Sequence, residues 1–167
     1  MDARRRDGRT PDERPHDDVA PGSAVTSRVA SRVAGRVPFA YVVLRVVPRV
    51  ERGEYINAGI VVFARPLRFL GARVHLDRAR LAALAPDCDP ADIEAELEAI
   101  ARIAAGDESA GPIARMARPE RFHWLASPSS TIVQRSEVHT GLTHDAARTL
   151  DHLFETLVAT PSPMPRT

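Results

Sequence analysis

The chain has 167 residues, 44% of them hydrophobic, with 23 basic and 22 acidic side chains and a formal net charge of +1. That is one globular domain with room for a tail; so even a charge argues against nucleic acid, and no apolar run reaches the roughly 18 residues of a membrane span. Every basic residue other than histidine is arginine, which removes lysine Schiff-base chemistry, a P-loop lysine and a kinase-type β3 lysine from consideration.

Residues 1 to about 36 carry eight arginines and six acids among Pro, Gly, Ser and Ala, with no Leu, Ile or aromatic residue. Too little apolar surface is available to offset the entropy of ordering, so disorder is expected. SRVA, SRVA and GRVP place Arg28, Arg32 and Arg36 at four-residue spacing, which would suit an amphipathic arm but reads better as low-complexity sequence. No apolar segment follows the first arginines as a secretory signal requires, and the expected compartment is the cytoplasm. Val37 opens the segment VPFAYVVLRVVP abruptly, as a domain begins. Valine codons can initiate translation in bacteria, so residue 37 is a candidate start; an intact mass of the native protein matching all 167 residues would reject it.

Residues 37–160 are expected to form a single α+β domain, a small antiparallel or mixed sheet of about four strands with helices packed on one face. Phe39 to Val47 and Tyr55 to Phe63 read as two strands of a hairpin, rich in β-branched and aromatic residues. Symmetry about Glu51 sets Arg45 opposite Asn57, on one face with Tyr41, Tyr55, Val61 and Phe63, and sets Gly59 opposite Val43. Ala72 to Leu76 follows as a third strand. Asp77 caps a short helix to about Leu84.

Cys88, the only cysteine, lies in the acidic setting PDCDP. An intrachain disulfide and a cysteine zinc site are thereby excluded, and the acids disfavour a thiolate. Asp89-Pro90 starts a helix in which Ile93, Leu97, Ile100 and Ala104 form the buried stripe, Glu94, Glu96, Glu98 and Arg102 face solvent, and Gly106 ends the run. Gly111 to Ala126 reads as two helical pieces broken at Pro119, with Phe122 and Trp124 packed inward. Thr131 to Val138 is the fourth strand, and a loop through Gly141 leads to a last helix capped by Thr143. Its stripe is Leu150, Phe154, Leu157 and Val158. The terminal PSPMPRT is expected to fray.

Two stretches hold more polar chemistry than folding needs. The hairpin supplies Arg45, Arg52, Glu54 and Asn57, where arginine suits bidentate capture of carboxylate or phosphate and Glu54 could move a proton. Ser127 to Gly141 supplies hydroxyls with Arg135 and His139. A serine nucleophile lacks a G-x-S-x-G setting. His144-Asp145 has the look of a metal phosphohydrolase pair, yet no further His and Asp set accompanies it. No metal or cofactor is expected.

These same segments carry a resemblance. YVVLRVVPRVERGEYINAGIVVF, Arg121-Phe122 with Trp124-Leu125, SSTIVQ and VHTGLT resemble a bacterial family defined as a domain of unknown function, number 3037, from about Pro38 to Val158. Its R-G-E-x-x-N-x-G pattern is matched by Arg52, Gly53, Glu54, Asn57 and Gly59. Members often begin near the equivalent of Pro38, so the arginine-rich tail departs from the pattern. The resemblance implies no assigned activity. It does imply a partner, because such proteins are commonly encoded beside kinases resembling the HipA type. The leading expectation is therefore a non-enzymatic accessory or interaction module. The alternative is an enzyme or ligand-binding domain for an anionic small molecule, phosphorylated or carboxylate. There Arg45, Arg52 and Arg135 would bind the anion and Glu54 or His139 would transfer a proton.

Overall fold

A computed structural model describes residues 35–159. Most of the expected disordered tail, with Arg28 and Arg32, and the terminal PSPMPRT lie outside the described residues. Within them the chain runs β1 (Val37–Arg49), β2 (Glu54–Ala64), β3 (Phe69–Val74), α1 (Arg78–Leu84), α2 (Pro90–Ala105), α3 (Arg118–Ala126), β4 (Val133–Arg135), β5 (His139–Thr143) and α4 (Ala146–Leu157). Short 3-10 turns link β1 to β2 and α2 to α3. The fold class is α+β, with five strands in one antiparallel open sheet of order β3-β2-β1-β4. No helix among the described residues is long and apolar enough to cross a membrane.

β1 is long enough to hold two edge partners in sequence. β4 pairs with Leu44 to Val46, and β5 pairs with Val37 to Tyr41. Of the expected strand from Thr131 to Val138 only Val133 to Arg135 is strand, and β5 lies where a loop was expected. Ser136 sits at the break and completes the ladder. Its N–H donates to the Val43 carbonyl at 2.9 Å, and its hydroxyl accepts from the Val43 N–H at 2.9 Å. A central strand that changes partners would otherwise bury unpaired backbone.

Pairing along the hairpin sets Leu44 opposite Gly59 and Arg45 opposite Asn57, so Ala58 is an extra residue on β2. This β-bulge shifts the side-chain alternation by one. Before it, Ile56 and Ala58 face the same way as Val42, Leu44 and Val46 of β1; after it, Val61 does. Arg45 is opposite Asn57 as expected. Gly59, however, meets Leu44 instead of Val43, and Val61 and Phe63 lie on the face away from Tyr41.

Each face has its own core. Leu44, Val46 and Val61 pack with Leu81 of α1, Ile93, Leu97 and Ile100 of α2, and Phe122 and Leu125 of α3. On the other face Val43, Ile60, Val62 and Ala64 meet Ala146, Leu150 and Phe154 of α4. Three helices share one face, as anticipated, and the last covers the opposite one. Full burial of each such side chain contributes about 1.5–3 kcal/mol.

The helix signals operate locally. Asp77 and Asp89 cap α1 and α2 through their side chains, and Gly106 closes α2 in a left-handed conformation. Two details differ. Pro119 lies in the first turn of α3, where its missing N–H costs nothing, and the break falls before Arg118. The cap of α4 is Asp145, whose carboxylate accepts from the N–H groups of Ala147 and Arg148. Thr143 instead braces Asp145, its hydroxyl accepting from the Asp145 N–H at 3.0 Å. Phe122 stacks on Phe63 at 5.0 Å, whereas Trp124 is 42% exposed on the outer side of α3.

Candidate functional site

The β1–β2 hairpin turns through Val50–Arg52 and closes at Gly53, whose φ of +66° strains any side chain. Two ion pairs organise it. Arg52 grips Glu54 with two nitrogens, at 2.7 and 3.2 Å. That guanidinium holds the Glu54 carboxyl below its ordinary pKa, and the pairing raises the pKa of Arg52. Glu54 is therefore a weaker base than a free glutamate. At the hairpin base Arg49 donates to Asp87 at 2.9 Å, which lowers the Asp87 pKa and ties the turn to the loop before α2. All four side chains are exposed, so neither pair adds much stability.

Behind the turn, the bulge keeps Arg45, Tyr55 and Asn57 on the α4 side. The Arg45 guanidinium lies over the Tyr55 ring, 4.5 Å from its centroid. The Asn57 amide donates to the Leu157 carbonyl at 3.0 Å, satisfying an acceptor in the last turn of α4. Arg45 Nε and Asn57 Oδ1 are both buried without a hydrogen-bond partner among the described residues. The structure thus gathers Arg45, Tyr55 and Asn57 at one end of α4, next to the Arg52–Glu54 pair in sequence.

Arg135 belongs to a different arrangement. It pairs with Leu44 across the ladder and so faces away from Arg45. Its Nε donates to the Leu125 carbonyl at 3.2 Å, and Nη1 donates to the Val133 carbonyl at 3.0 Å and to Ser129 Oγ. These bonds clamp the end of α3 and the following loop onto β4. Burial pushes its pKa down, with Glu96 opposing, and an arginine so held remains charged. His139 is exposed on β5 and stacks on Tyr41 at 4.9 Å.

Tyr55 and Val50 were not singled out as site residues in the sequence. Tyr55 is 50% and Val50 67% exposed, on either side of the charged turn. The signal was present: a β-branched and an aromatic residue flank the E-R-G-E tetrapeptide. No group of three or more His, Cys, Asp or Glu among the described residues could hold a metal ion.

Fold and site together define a small α+β protein, an open antiparallel sheet with a polar and aromatic hairpin at one end. The family model described as "Protein of unknown function (DUF3037)" matches residues 41–158, and the chain belongs to that family. No curated protein and no solved structure matches it.

Proposed function

We propose that this protein is a non-enzymatic interaction module that docks a HipA-type kinase-like partner through its β1–β2 hairpin. The observation that carries this reading is the exposed pair Val50 and Tyr55, framed by Arg52–Glu54 and backed by the Arg45 guanidinium on the tyrosine ring. Tyrosine and arginine dominate interface hot spots because they bury large, well-ordered surfaces. The ion pairs supply a polar rim that fixes orientation more than affinity. The partner class comes from the family resemblance. An anion held jointly by Arg45, Arg52 and Arg135 is the weaker reading, because Arg52 is committed to Glu54 and Arg135 to Leu125, Ser129 and Val133.

Isothermal titration of the full chain against the HipA-type kinase-like protein of the same organism tests the proposal. Wild type is expected to form a one-to-one complex. A Val50→Asp, Tyr55→Asp double variant is expected to bind about 100-fold more weakly, whereas Met116→Asp, at an exposed residue outside the hairpin, binds as wild type. Absence of a complex with wild type, or equal affinity for all three chains, would reject the reading.

A further inference from the structure

An open cleft lies away from the hairpin, between the start of β1, the end of β5 and the first turns of α4. It encloses about 670 Å³ and is lined by Arg36, His144, Arg148 and His152, with Phe39 and Leu142 as apolar surface. That volume is within the range of small-molecule sites.

Its lining carries two arginines against one carboxylate. Arg49, Arg52, Arg73, Arg78 and Arg102 each hold a carboxylate elsewhere on the surface. Arg36 and Arg148 hold none among the described residues. The one carboxylate lining the cleft, Asp145, is engaged by the N–H groups of Ala147 and Arg148, both at 3.0 Å. Arg148 and His152 are four apart on α4 and so share a face.

Arg36 is also oriented in advance. Its Nε donates to His144 Nε2 at 3.3 Å, and His144 Nδ1 meets the Gly35 carbonyl at 3.1 Å. A carbonyl only accepts, so in this arrangement the imidazole proton is on Nδ1 and Nε2 receives the Arg36 bond. Among the described residues, the two terminal nitrogens of Arg36 have no hydrogen bond. Phe39 also lines the cleft. Its ring lies over Gly141, where an added Cβ would come within 2.6 Å of it, so the glycine lets an aromatic ring lie across β5.

We propose that this cleft binds a small phosphomonoester, with Arg36 and Arg148 taking the phosphate oxygens and Phe39 and Leu142 receiving the carbon skeleton. Paired guanidinium forks suit phosphate geometry. A tetrahedral dianion matches two guanidinium groups that hold no carboxylate among the described residues better than a single carboxylate would.

The test is a titration of the full chain with phenyl phosphate and with inorganic phosphate, followed by calorimetry and by the histidine ring signals in NMR. Phenyl phosphate is expected to saturate at sub-millimolar concentration, to bind more tightly than inorganic phosphate, and to shift the rings of His144 and His152. Arg36→Ala and Arg148→Ala are each expected to weaken binding at least about 10-fold with an unchanged circular-dichroism spectrum. Arg118→Ala, on exposed α3, is expected to bind as wild type. The proposal is overturned by a lack of saturation, by equal binding in all variants, or by shifts confined to other histidines. Tighter binding of a phosphoserine peptide than of phenyl phosphate would overturn the small-molecule assignment.

Discussion

Leu44→Ala is expected to destabilise the full chain by about 2–5 kcal/mol in urea denaturation followed by circular dichroism. Leu44 is fully buried in the central strand. It lies opposite Gly59 on one side and Arg135 on the other. Truncation removes apolar burial and leaves a void that two hydrogen-bonded neighbours keep from collapsing. Leu142→Ala is the control, because Leu142 is 47% exposed and its loss is expected within about 0.5 kcal/mol. If the two variants melted alike, the core assigned to this face would be wrong.

Gly59→Ala is the second large effect, and its cause is the reverse. A Cβ at Gly59 would sit 2.9 Å from the Arg73 carbonyl oxygen and 3.0 Å from both Leu44 Cδ1 and Val74 Cγ1. The side chains could yield, but the carbonyl cannot do so cheaply. Arg73 is in the β2–β3 ladder opposite Ile60, its guanidinium donates to Asp151 at 2.8 Å, and it lies over the Phe154 ring. Overpacking of this kind costs about 1–3 kcal/mol. In a Leu44→Ala background one of the three contacts disappears while the carbonyl contact stays. The double variant is therefore expected to lose less than the sum of the two single losses. Strict additivity in the same urea experiment would show that the Leu44 contact plays no part.

Much of this architecture is local and so was legible in the sequence. Asp77, Asp89-Pro90 and Gly106 act on neighbouring backbone groups, and the stripe of Ile93, Leu97 and Ile100 follows from helical spacing alone. The misreadings have one kind of cause, a dependence on partners distant in the chain. Ala58 carries no mark of a bulge, yet it decides which way Val61 and Phe63 point. The split of β4 from β5 depends on Ser136 meeting Val43, 93 residues away. Trp124 was assigned to the core by its chemistry, but Phe122 already fills the place against Phe63.

The candidate site divides in the same way. Arg45, Asn57 and the Arg52–Glu54 pair are neighbours in one hairpin, and the strand period brings the first two together. Arg135 could not be placed by that logic, because two of its three acceptors, on Leu125 and Ser129, come from the end of α3 and the loop after it. The cleft is less legible still, since its Arg36–His144 contact spans 108 positions.

The bulge at Ala58 separates two roles along β2. Downstream of it, Ile60, Val62 and Ala64 are fixed by the need to fit beneath α4. Upstream, Tyr55 and Asn57 occupy the same side of the sheet under a different alternation. On the α4 side, one strand is thereby divided into an apolar half and a polar half. Replacements at Val50 or Tyr55 can retune what the hairpin recognises without disturbing the apolar residues that hold the sheet to its last helix.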